Sequence, residues 1–215
     1  MRQENESKKG ICYQMKLSNL QMFSSYMLFA FLFVGCDFNS LSPERYARWM
    51  TTNQSRLSAH STQADLNLSL SYLPADWLAL REAGVENTGT LAKARTEYAG
   101  LEYYRLRIAL QSGQGDVLQF KAGSTDEYYQ RVEYFSFGLQ NDIRLLAGKD
   151  TLPCRLFHFE RNYGAAPYAD FMLGFDEKPE NRTDRILFYD DKVFSNSLIH
   201  LTIPAETIQR IPKLK

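Results

Sequence analysis

Apolar and polar positions alternate along much of the chain. Leu66, Leu68, Leu70 and Tyr72 are interleaved with Asn67, Ser69 and Ser71, a period of two that predicts a strand with one apolar face. Tyr104, Leu106, Ile108 and Leu110, spaced by Arg105, Arg107 and Ala109, repeat the pattern. The turn residues 112–115 before Val117-Leu118-Gln119-Phe120 then read as strand, turn, strand. Residues 154–161 and 168–175, set around Asn162-Tyr163-Gly164, and residues 185–190 and 197–203 predict four more strands.

A period near 3.6 occurs in shorter stretches. Ser42 suits a helix cap and Pro43 its first turn, with Tyr46, Trp49 and Met50 on neighbouring positions of one face. Pro74 opens a second helix whose apolar stripe is Trp77, Leu78, Leu80 and Ala83 and which stops at Gly84. Residues 126–137 align Tyr128, Val132 and Phe135 as a helix, with a strand as the alternative. The polar stretch 51–63 reads as a loop.

Many short strands, few helices and frequent Gly, Asn and Asp turns predict a mainly β chain, a β-sandwich or a β-rich α+β single domain with a few short helices. A hydrophobic signal helix precedes it. The organisation expected is a signal peptide over 1–35, a lipid-attached linker with a short helix over 36–63, and a β-rich globular domain over 64–215. A doubly wound nucleotide-binding fold does not fit, because strands and long helices do not alternate regularly.

The signal reading rests on residues 22–35, MFSSYMLFAFLFVG, which carry no charge, follow Lys16 and end directly at Cys36. A spanning helix needs about 20 apolar residues, whereas a signal-peptide core takes roughly 7–15. The run is short enough for a signal; a single uncleaved membrane anchor is the alternative. Phe33-Val34-Gly35-Cys36 resembles the lipobox of bacterial lipoproteins, with Gly35 before the cysteine and Phe33 where leucine is usual. The resemblance implies cleavage between Gly35 and Cys36 and lipid attachment at Cys36, with palmitate among the acyl chains. Two or more chains give a lasting membrane anchor where one holds only marginally. A start at Met15 would give a compact signal with Lys16 as its basic end. Asp37 stands alone after the cysteine and leaves open which membrane and which face receive the product. Residues 41–80, with LSPERYARW and YLPADWLALRE, together with Arg161–Gly164 and the terminal IPKL, resemble an uncharacterised lipoprotein family of Bacteroidetes-type bacteria. That likeness implies a place in the cell envelope and carries over no catalytic residue.

Charge adds a negative result. Removing Arg2, Lys8, Lys9 and Lys16 from the 25 basic residues, and Glu4 and Glu6 from the 25 acidic, leaves 21 and 23 beyond the signal. No block of one sign remains to bind nucleic acid. Of Cys12, Cys36 and Cys154, the first leaves with the signal and the second carries lipid. Cys154 is then a lone thiol, read as buried and structural, and no disulfide framework is possible within one mature chain.

The search for chemistry finds no GxSxG, HExxH, CxxC or phosphate-binding loop. His158 and His200 lie on predicted strands and are the weak metal candidates, with Glu160 or Asp170 to complete a site if the strands are neighbours. The pairs Asp176-Glu177 and Asp190-Asp191 read as turn residues, since adjacent strand residues point to opposite faces. Tyr103, Tyr104, Tyr128, Tyr129, Tyr134, Phe135 and Phe137 are either a platform for sugar rings or an apolar ligand, or sheet core. The functional expectation is a membrane-anchored envelope lipoprotein acting without catalysis, as a protein-interaction or structural module with an envelope protein as partner and no cofactor. The alternatives are a glycan or apolar-ligand module built on the aromatics and a metal-dependent hydrolase.

Overall fold

The computed structural model describes residues 39–178 and 183–215. The apolar segment, Met15, Phe33, Gly35, Cys36 and Asp37 lie outside them. No helix among the described residues is long and apolar enough to cross a membrane.

In chain order the elements are Ser40–Leu41 (β1), Pro43–Asn53 (α1), Ser58–Gln63 (β2), Leu66–Leu73 (β3), Ala75–Ala83 (α2), Thr88–Glu97 (α3) and Leu101–Leu110 (β4). Then come Thr125–Glu133 (α4), Ile143–Ala147 (β5), Asp150–Pro153 (β6), Leu156–Glu160 (β7), Tyr168–Asp176 (β8), Arg185–Asp191 (β9), Ser197–Ile203 (β10), Ala205–Gln209 (α5) and Lys213–Leu214 (β11). β1 and β11 pair in parallel; every other pairing is antiparallel.

Two sheets form a sandwich. One has the order β2-β3-β4-β8-β7 and the other β10-β9-β5-β6. Leu66, Leu68, Leu70, Tyr104, Leu106, Ile108, Phe171 and Leu173 of the first sheet share one buried core with Ile143, Leu145, Leu187, Tyr189, Ile199 and Leu201 of the second. These are the residues that a period of two puts on one face, and their removal from water is the main stabilising term. The chain is therefore a mainly β single domain with short helices, as the patterning predicts.

A smaller layer holds α1, α2 and α3 together through Tyr46, Met50, Ala79, Leu80, Leu91, Ala94 and Leu214. Ser42 precedes α1 in extended conformation with Pro43 in the first turn. Gly84 ends α2 with φ 78, a left-handed conformation that glycine adopts without strain. Asn87 caps α3 by accepting the Thr90 N–H at 3.2 Å.

Four stretches depart from the sequence reading. Residues 51–63 are not a loop: α1 runs to Asn53, a 3₁₀ turn follows, and Ser58–Gln63 form β2. β2 is held by its main-chain pairing to β3, which polar side chains on an edge strand do not oppose. With α1, it belongs to the compact unit Ser40–Lys215. Residues 117–120 form no strand. The Asp116 carboxylate accepts the Leu118 N–H at 2.9 Å, and the buried Arg131 guanidinium donates to the carbonyls of Leu118 and Phe120, so a turn satisfies this backbone locally. Residues 88–97 and 143–153, to which the sequence reading assigns no element, form α3 and the hairpin β5–β6.

Candidate functional site

The edge of the first sheet at β7 is the most unusual surface. α4 begins at Ser124, whose hydroxyl accepts the Glu127 N–H at 3.1 Å while the Glu127 carboxylate accepts the Gly123 N–H at 2.7 Å. The helix then widens into a π turn at Tyr134–Gly138, a rare geometry often found at functional sites. Phe135 points inward and meets Phe159, Phe171 and Phe194 at ring distances of 6.1, 5.4 and 6.1 Å. Two residues on, Phe137 points outward and is 77 % exposed. The turn is tight at Gly138, where a Cβ would lie 2.6 Å from the Tyr134 ring.

Phe137 stands beside β7, which among the described residues pairs only with β8 and so has one main-chain edge with no strand partner among them. Between them runs an open groove of about 460 Å³ lined by Ser136, Phe137, Gln140, Phe157, His158, Phe159 and Arg161. Phe157 and Phe159 are fixed from below by stacking on Phe171 at 5.8 and 5.0 Å. The guanidinium of Arg161 lies 4.7 Å from the ring of Tyr163, itself 78 % exposed. An aromatic floor, an exposed aromatic wall and an open strand edge are the parts from which strand-addition sites are built.

The aromatics proposed from sequence divide. Tyr103, Tyr104 and Phe135 are core, Tyr128 and Tyr134 are half-buried against it, and Tyr129 and Phe137 face solvent. They make no common platform. Tyr128 and Tyr129 line a second open groove with Gln119, Ser124 and Thr125.

The two candidate histidines do not converge. His158 sits on β7 and His200 on β10, exposed edge-strand positions in different sheets. His158 faces Met172 across its pair and His200 faces Phe188. Asp170 is committed to Arg107 through two bonds of 2.6 Å. No group of three or more His, Cys, Asp or Glu side chains among the described residues is placed to hold a metal ion.

Cys154 is buried and its thiol donates to the Leu156 carbonyl at 3.0 Å. Burial pushes its pKa up to about 11, which keeps it protonated and poorly nucleophilic near neutrality. Asp190 and Asp191 are the last residues of β9 and not turn residues; the Asp191 carboxylate instead holds the turn that follows, accepting the N–H groups of Val193, Phe194 and Ser195 and the hydroxyls of Tyr189 and Ser195. Burial raises its pKa, but the bonds from Ser195, Phe194 and Val193 prevail and hold the carboxyl below its ordinary value. Asp176 pairs with Arg155 at the end of β8.

Phe137 had a place in the aromatic set, but the open edge beside it had no signal in the sequence. The run Leu156-Phe157-His158-Phe159-Glu160 lacks the lysine or proline that often blunts an edge strand. No protein-family model, curated protein or solved structure matches the chain.

Proposed function

We propose that the chain is a membrane-anchored envelope lipoprotein, held by lipid on Cys36, whose sandwich binds another envelope protein by taking an extended segment of it as a strand beside β7. The exposed Phe137 next to the open edge of β7 carries this reading. An added strand satisfies the free main-chain groups of β7, and alternate apolar side chains of that segment enter the groove over Phe157 and Phe159. Arg161 follows the strand while Arg155 before it is paired with Asp176, so the segment sought carries an acidic residue at the Arg161 end. The module acts by binding, without catalysis. Support for the membrane comes from the short uncharged run before Cys36 and the likeness of Phe33–Cys36 to a lipobox.

The test is site-specific photocrosslinking in cells. A photoreactive residue at Phe137 is expected to yield one recurrent protein adduct, absent when the residue is at Arg48 on α1, and lost when Phe159→Pro disrupts β7. Equal or absent adducts at the two sites would refute strand docking here. A second reading, a glycan or apolar ligand, is favoured by Tyr129, 61 % exposed in the groove with Gln119, Ser124 and Thr125. It is checked by loss of glycan or lipid binding in Tyr129→Ser.

A further inference from the structure

We infer that the outer face of the first sheet holds a second site, one for a carboxylate-bearing ligand, with the guanidinium of Arg105 as its anchor.

The argument starts from β4, the central strand of that sheet. Tyr104, Leu106 and Ile108 are fully buried toward the core, so the pleat turns Arg105 and Arg107 to the opposite face. The two arginines are used differently. Arg107 gives both arms of its fork to Asp170, and its guanidinium carbon lies 3.6 Å from the centre of the Tyr168 ring. Its charge is neutralised and its orientation fixed.

Arg105 has no acceptor among the described residues. Its direct neighbours across the sheet are Ser71 on β3 and Met172 on β8, neither of them acidic. It is nevertheless half-buried. Toward one end of the face, Leu73 and Tyr103 are covered by Leu78 and Trp77 of α2, and Met172 packs with them. Arg105 therefore lies between the serine row of β3 and this apolar cluster beneath α2. A half-withdrawn guanidinium with its fork unfilled is matched by a planar carboxylate, which accepts two parallel N–H bonds.

The surroundings select the anion. Arg105 is the uncommitted cation of this patch, while Asp170 and Glu160 lie opposite one another in the adjoining row. Asp170 is neutralised by Arg107, so it is the exposed Glu160 carboxylate that disfavours a phosphate dianion more than a monoanion. On the other side lie the half-buried hydroxyls of Ser58 and Ser69, with the buried Ser71 bonded to Ser58 at 2.8 Å beneath them. A carboxylate attached to a hydroxyl-bearing ring, as in a uronic acid, meets both features. This site is separate from strand docking at β7 and does not depend on the anchor.

The experiment uses the full chain with ¹⁵N-labelled arginine side chains and follows the Arg105 Nε resonance during titration with D-glucuronate, glucose or inorganic phosphate. Glucuronate is expected to shift it saturably; glucose is expected to leave it in place, and phosphate to bind about tenfold or more weakly. Followed by backbone resonances of β3 and β4, Arg105→Gln is expected to weaken glucuronate binding about tenfold or more, and Arg105→Lys to fall between. Arg48→Gln, on α1, is expected to bind as the native chain does. No saturable shift, native affinity in Arg105→Gln, or phosphate binding as tightly as glucuronate would overturn the assignment.

Discussion

Glu102 and Arg185 form an ion pair at the end of the sandwich, joining β4 of one sheet to β9 of the other, with exposures of 5 % and 0 %. Glu102 accepts Arg185 Nε at 2.8 Å and Nη2 at 2.7 Å, and also the Tyr104 hydroxyl at 2.8 Å. Arg185 Nη1 is satisfied separately by the carbonyl and hydroxyl oxygens of Thr183. Glu102→Met keeps the volume and removes the acceptor. Two charge-assisted bonds are lost at roughly 1.5–3 kcal/mol each, a range that overlaps the roughly 3–5 kcal/mol that breaking a buried pair costs. A loss of about 4 kcal/mol is expected. For a domain of this size that lowers Tm by about 8–16 °C. Adding Arg185→Met removes the stranded charge, so the double variant is expected to recover stability relative to the single one and to keep only the cost of the Tyr104 hydroxyl left without its acceptor, about 1–3 kcal/mol. Urea and thermal unfolding followed by circular dichroism measure both. A single variant that loses under about 1 kcal/mol, or a double variant no better than the single, would refute the reasoning.

Three further outcomes follow from buried groups. The Cys154 thiol, raised to about 11, is expected to resist iodoacetamide at pH 8 in the native chain and react at once in denaturant; because the folded pKa lies above the unfolded one, its stabilisation holds below about pH 9 and is lost as pH rises through 11. Asp191 has a folded pKa below its ordinary value, so its contribution is present above about pH 4 and is lost as pH falls through the folded pKa. Asp191→Asn is expected to flatten that acid limb of the stability profile and to destabilise the 192–196 turn by about 1–3 kcal/mol in urea unfolding. Gly138→Ala sets a methyl group against the Tyr134 ring. It is expected to change the near-ultraviolet spectrum and weaken photocrosslinking at Phe137, while the far-ultraviolet spectrum stays native.

Where one face of a strand is buried, the sequence was readable. Leu66–Tyr72 and Tyr104–Leu110 alternate because one side meets the core, and Ser197–Ile203 was recovered for the same reason. β2 was missed because an edge strand is stabilised by main-chain pairing, which leaves no apolar period. Its turn hid as well, since Ala64 takes φ 48 where glycine or asparagine is the usual signal. Residues 117–120 look like a strand but plug the core as a turn, because Asp116 and Arg131 capture their backbone from outside the segment. The site was less legible than the fold. His158, a metal candidate by residue type, lines an aromatic groove, while Arg105 and Arg107 read only as polar spacers in the alternation of β4. Which strand is an edge, and which arginine lacks a carboxylate, are properties of strand order that local sequence does not carry.

The claim that this sandwich works at a membrane surface rests on Cys36. The direct measurement is the intact mass of the native protein recovered from the membrane fraction, beside Cys36→Ala. The native chain is expected to begin at residue 36 and to carry added acyl mass; Cys36→Ala is expected to lack that mass and to leave the membrane pellet. A native chain with no added mass, or a Cys36→Ala variant with unchanged mass and location, would contradict the account.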